Sequence, residues 1–191
     1  MRDSYKRILS LLHNPRQFFA NKDVQFLDGV LVMAGLLLVT FFQKMVWVEP
    51  GSQAVMPLEA LKQAGINSLM IWSLYCVFFF AIAGIFRRRA NLPQLSGWVG
   101  AAGFPLVLTT LISALSWLGA SFFDISGISS QWLFLENALS WVGLAFSWPG
   151  LFGFYVLHES LQLPKIWAML LIAGAFIFLV GGSLLPVILS H

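Results

Sequence analysis

The sequence predicts an all-α membrane protein: a bundle of five transmembrane helices preceded by an N-terminal amphipathic interfacial helix. Three observations predict it. Apolar residues make up 59% of the 191 residues and charged residues only 10%, whereas a soluble domain is nearer half apolar and a quarter charged. The surplus apolar surface needs lipid as its solvent. The apolar residues also fall into five runs, each long enough, at about 1.5 Å per helical residue, to cross a hydrocarbon core about 30 Å thick. Finally, runs such as Gly29–Phe42 are apolar on every side, whereas the strands of a membrane barrel alternate over about ten residues.

The chain divides near residue 25. Residues 1–25 form a cytoplasmic amphipathic segment and residues 26–191 the membrane domain. Within Ser4–Asn21, Ile8, Leu9, Leu11 and Leu12 supply an apolar side, and Phe18-Phe19 follow Pro15. Lys6, Arg7, Arg16 and Lys22 supply charge for anionic headgroups. This pattern reads as an interfacial helix broken near Asn14-Pro15; a disordered basic tail is the plainer alternative.

The five expected spans are residues 29–48, 66–86, 97–122, 138–157 and 166–189. The first has Gln43, Lys44 and Trp47 where a cleavage site would need small residues, so it reads as an uncleaved signal anchor. In the loop Glu49–Gly65, Pro57 fits the first turn of a short separate helix. The loop Phe123–Glu136 carries Gly, Ser and Asp turn residues.

Orientation follows from Lys and Arg. With the N-terminus in the cytoplasm, nine of the eleven lie inside, including Arg87, Arg88, Arg89 and Lys165, and only Lys44 and Lys62 lie outside. Ser190–His191 then lie on the outer side. Trp47, Trp98, Trp132 and Trp167 fall near span ends, where aromatic belts form.

Residues that could carry chemistry are few. Charge within a span is costly and usually functional, yet Asp28, Lys44, Glu136 and Glu159 all sit near span ends. That counts against an ion-coupled transporter. Asp28 reads first as a helix-start residue and second as a polar contact to the inner loops. His158-Glu159 is followed by Leu161 and Gln162 and not by the second histidine of H-E-x-x-H, so no catalytic or metal site is expected. Cys76 is the single cysteine and can build neither a disulfide framework nor a cysteine metal site. No cofactor is implied. The net charge of +3 is small and the basic residues sit at segment ends, so nucleic-acid binding is set aside.

Small residues are more informative. Gly97, Gly100 and Gly103 recur every three residues, a spacing that lets helix backbones approach. Pro105 and Pro149 should kink the third and fourth helices. Packing is the simple reading; a gate or substrate cavity near Thr109 and Thr110 is the functional one. The Arg87–Arg89 run, with Lys6, Arg7, Arg16 and Lys22, forms a basic inner face. It is either a topology signal or a surface for anionic lipid or an acidic partner.

These residues carry a resemblance. Ile8–Phe19, with its leucines followed by Pro-Arg-Gln-Phe-Phe, resembles the entry segment of bacterial Yip-domain (Ypt-interacting-protein family) proteins. Gly97–Leu108, with glycines leading into Pro105, is similar to the start of that family's middle helix, and Trp141–Leu157 followed by His158–Lys165 also fits. The resemblance implies five spans and a cytoplasmic N-terminus. Eukaryotic members are implicated in Rab GTPase binding through long N-terminal regions. This chain has only about 25 residues there, and Ser96-Gly97-Trp98 where the family has Tyr-Gly-Tyr, so a GTPase partner is not implied. Some bacterial relatives accompany ABC-type exporters.

The expected function is a non-enzymatic scaffold or accessory subunit in a bacterial inner membrane. It would contact anionic lipids at its cytoplasmic face and a membrane-protein partner or a second copy of itself. The alternatives are a transporter or lipid-handling subunit, which needs a polar cavity near Pro105 and Pro149, and an intramembrane enzyme, which needs Asp28, His158 and Glu159 to converge.

Overall fold

A computed structural model describes residues 2–20, 24–46, 56–122 and 129–189, with 2, 3, 5, 120–122, 129–133 and 179–189 described by backbone alone. The described residues are helical apart from short connections. Two short helices, α1 (Arg2–His13) and α2 (Pro15–Ala20), lead into α3 (Phe26–Val46) and α4 (Pro57–Ile85). Then come α5 (Leu92–Ala101), α6 (Phe104–Phe122), α7 (Ser129–Phe146), α8 (Leu151–Tyr155), a π-helical turn (Val156–Ser160) and α9 (Lys165–Leu189).

Four stretches are long and apolar enough to cross a membrane: Phe26–Val46, Pro57–Ile85, Leu92–Gly119 and Phe134–Ser160. They mark a multi-pass membrane protein. α9 contributes a shorter apolar stretch over Lys165–Phe178, where its side chains are described.

The span ends follow capping chemistry more closely than hydropathy. α3 starts three residues before the expected Gly29 because Asp28 reaches back to accept a hydrogen bond from the Gln25 backbone N–H at 2.9 Å. This is the returning half of a capping box. α4 begins at Pro57, whose missing N–H costs nothing in a first turn. The separate loop helix expected at Pro57 is therefore the first part of α4. Glu59, Ala60, Lys62, Gln63 and Ala64 favour helix, and nothing before Ile66 stops it. Of the second expected loop, 123–128 lie outside the described residues, and the chain is already helical from Ser129.

The third and fourth spans are each broken. In the third, the Gly103 N–H turns back to the Gly100 carbonyl at 3.0 Å, and Pro105 sits in the first turn of α6 where no donor is needed. The Val99 carbonyl loses its helical partner at this break. Trp148 supplies one, its Nε1 donating to Val99 O at 2.5 Å. In the fourth, the helix stops at Phe146, and Ser147–Gly150 form a turn before α8. Each proline thus marks a break more pronounced than the expected kink.

The core forms where α3 packs against α5 and α6. A Cβ placed on Gly29 would stand 2.8 Å from the carbonyls of Ser96 and Gly97, and one on Gly100 would stand 2.5 Å from the Gly29 Cα. A Cβ on Gly97 would strike the Gln25 carbonyl. The two backbones therefore meet directly, as small residues permit in a bundle. Gly103 leaves room for the Trp148 indole, 2.7 Å from where its Cβ would be.

Candidate functional site

One end of the bundle gathers α1, α2, the start of α3, the α4–α5 loop, the π-turn and the start of α9. The opposite end is tied separately: Lys44 Nζ donates to Gln63 Oε1 at 3.2 Å, Trp117 Nε1 to Val46 O at 3.2 Å, and Gln43 Nε2 to Glu136 Oε1 at 3.3 Å. The antiparallel course of the helices thus sends Lys6, Arg7, Arg16, Arg87, Arg88 and Arg89 to one end, and Lys44 to the other.

The N-terminal helices fold back onto that first end. Asn14 separates them. Its Oδ1 accepts from the Gln17 N–H at 3.1 Å, and Pro15 holds the first helical position of α2, a regular N-cap arrangement. The apolar side of this pair packs on protein: Leu11, Phe18 and Phe19 are buried in the bundle core. Phe19 meets Phe152 edge-on at 5.5 Å and stacks on Tyr155 at 6.1 Å. Leu9 and Leu12 remain exposed. The apolar residues of the expected interfacial helix are thus divided: Leu11 and both phenylalanines pack on the bundle, while Leu9 and Leu12 face outward.

Polar contacts fix the docking. Arg7 grips Asp28 through Nε at 2.9 Å and a terminal nitrogen at 3.1 Å. Asp28 is fully buried, so the ion pair and the cap it makes to Gln25 satisfy a carboxylate that could not otherwise remain there. Asp28 therefore takes the expected helix-start role, and its polar contact is to Arg7 on α1 and not to an inner loop. Arg16 pairs with Glu159 at 2.6 Å, and Ser160 Oγ donates to the Phe19 carbonyl at 2.8 Å.

The seven basic residues expected to form one surface are thus divided. Arg7 and Arg16 hold the N-terminal helices in place. Lys6 is exposed on α1, and Lys22 lies outside the described residues. Arg87, Arg88 and Arg89 are exposed and line a cavity of about 370 Å³ with Gln94, Trp98, Glu159 and Gln162.

Local backbone chemistry shapes this cavity. α4 ends with the Arg88 N–H bonded to the Ala83 carbonyl at 2.8 Å and the Arg87 N–H to the Gly84 carbonyl at 3.0 Å. That is a Schellman ending, which needs a left-handed residue and usually takes glycine. Here it is Arg87, at φ 51°. On the other wall, the π-turn ends with the Leu163 N–H bonded to the Leu157 carbonyl at 3.0 Å, which places Gln162 at φ 54°. A side chain in that region costs roughly 1–2 kcal/mol. Trp98 also lines the cavity. It is 5% exposed, and its Nε1 is a buried donor with no hydrogen-bond partner.

The remaining expected site residues lie elsewhere. Gly97 and Gly100 sit in the α3–α5 contact and Gly103 under Trp148. Around the two prolines, Pro149 and Trp148 are buried, Trp148 stacks on Tyr75 at 4.9 Å, and Thr109 Oγ1 turns back to the Pro105 carbonyl at 3.1 Å. His158 donates through Nδ1 to the Leu163 carbonyl at 2.8 Å, since a carbonyl can only accept. Asp28, His158 and Glu159 each have a different partner. Among the described residues no group of three or more metal-ligating side chains occurs. A second cavity, apolar and about 510 Å³, lies between α4 and α9, lined by Tyr75, Phe78, Leu171 and Phe178.

Trp98, Gln94 and Gln162 carry no sequence signal for this role. Only their proximity to the arginine run, created by the α4–α5 turn and the π-turn, brings them together. Compared with family models, curated proteins and solved structures, the chain matches none.

Proposed function

We propose that the chain is a non-enzymatic membrane scaffold or accessory subunit whose interaction surface is the basic end of the bundle. The observation that carries this reading is the fixed N-terminal pair α1–α2, tied down by Arg7–Asp28 and Arg16–Glu159. With those two arginines engaged, Lys6 and Arg87–Arg89 remain exposed at the same end of the bundle. An exposed charged face favours docking of a partner of complementary charge. The lysine and arginine bias supports a cytoplasmic position for this face, and the membrane we assign is a bacterial inner membrane. α9 then completes a fifth span, as the resemblance to Yip-domain proteins also implies, and places the C-terminus outside.

Purification in mild detergent at native expression should yield a complex with a stoichiometric partner or a second copy of the chain. Charge reversal at Lys6 and Arg89 should weaken it. A monomer by light scattering, without partner at native expression, overturns the reading.

A transporter or lipid-handling subunit associated with an ABC-type exporter is the second reading, and the apolar groove between α4 and α9 favours it. A phospholipid carrying a photoreactive acyl chain should label Tyr75, Phe78 and Leu171 preferentially. Labelling spread evenly over the lipid-facing helices excludes it. The packing around Pro105 and Pro149 weighs against a transport path there.

A further inference from the structure

We propose that the cavity between the α4–α5 loop and the π-turn binds a phosphate-type oxyanion carried on a small organic group. The proposal concerns a ligand and does not depend on whether a protein partner covers the same face.

Charge is the first argument. Arg87, Arg88 and Arg89 line the cavity, and among the described residues none of them has an ion-pair partner. The acidic lining residue, Glu159, is already neutralised by Arg16 at 2.6 Å. The cavity therefore keeps a net positive lining. Guanidinium groups match phosphate oxygens in planar, paired hydrogen bonds, which an ammonium group cannot reproduce.

The second argument is how the walls are held. Arg87 is fixed at φ 51° by the α4 ending and Gln162 at φ 54° by the close of the π-turn, so two opposite sides of the cavity are set by backbone hydrogen bonds. Trp98 backs the cavity with its Nε1 withdrawn from the surface, which leaves the polar contacts to the arginines.

Size and position narrow the ligand class. A volume of about 370 Å³ is at the small end of ligand sites. It exceeds what an inorganic ion needs and suits a phosphate ester with a short polar substituent. The cavity opens where α4 ends and α9 begins, the level at which lipid headgroups lie. Two sources share this chemistry: the headgroup of an anionic phospholipid such as phosphatidylglycerol, and a free phosphate ester such as glycerol phosphate.

The full chain, purified in mild detergent, separates them. Native mass spectrometry after exposure to mixed phosphatidylglycerol and phosphatidylcholine tests the lipid source. Calorimetric titration with glycerol phosphate tests the free one. One retained phosphatidylglycerol, or one bound glycerol phosphate, supports the site and identifies its source. R88Q/R89Q should weaken that binding by about tenfold or more. Lys165→Gln, on the same end but outside the cavity, should leave it unchanged. If neither ligand binds above the phosphatidylcholine background, the proposal fails. It fails equally if Lys165→Gln costs as much as R88Q/R89Q, since that result means diffuse attraction without a site.

Discussion

Arg7 on α1 holds Asp28, in the first turn of α3, through two hydrogen bonds of 2.9 and 3.1 Å, and Asp28 is wholly withdrawn from solvent. The Arg16–Glu159 pair is shorter, at 2.6 Å, but the Arg16 side chain is 69% exposed. Burial, more than distance, should decide their worth. Removing one partner of a buried pair strands a charge and costs roughly 3–5 kcal/mol, whereas an exposed pair contributes about 0–1 kcal/mol. Arg7→Ala should therefore destabilise the protein several-fold more than Arg16→Ala in reversible unfolding from mixed micelles. Equal losses contradict the assignment. Replacing Arg7 and Asp28 together by Met and Leu should recover much of the Arg7→Ala loss.

The α3–α5 contact makes a second prediction. A methyl group on Gly97 meets backbone, which cannot step aside. Gly97→Ala should separate the two helices and cost about 1–3 kcal/mol, as overpacking does. Gly84 in α4 has nothing within 4 Å of its would-be Cβ. Gly84→Ala should stabilise by about 0.5–1 kcal/mol through helix propensity alone. Opposite signs in the same unfolding assay are the expected result.

Trp148 closes the break in the third span by donating to Val99 O. Trp148→Phe keeps the ring stacked on Tyr75 but leaves that carbonyl without its partner. The loss should be about 1–3 kcal/mol. Hydrogen exchange should show faster opening around Val99–Gly103 than in α4. Unchanged protection there shows that another donor satisfies the carbonyl.

Gln162 adopts a left-handed conformation that glycine adopts without strain. Gln162→Gly should raise stability by about 0.5–1 kcal/mol. A loss means that the Gln162 side chain is itself a structural contact.

The sequence by itself determined the class. Long runs apolar on every side fit helices in lipid, where each backbone polar group is satisfied within its own segment, and not the alternating strands of a barrel. It also determined where the breaks fall, since Asn14-Pro15, Gly103–Pro105 and Pro149-Gly150 act through local backbone geometry. It marked the arginine run by its charge. Tertiary structure decided which charges are consumed and which remain available. Arg7, Arg16 and Arg87–Arg89 look alike in composition, yet among the described residues the fold pairs Asp28 with the first and Glu159 with the second, and leaves the third group without an ion pair although Glu159 lines the same cavity. Pairing depends on which helix ends meet in space, and that meeting is set by the glycine contact of α3 with α5 and by the turns at Arg87 and Gln162. The orphaned indole of Trp98 follows from the same packing. Nothing in the residues around it could have indicated that its donor would be buried without a partner.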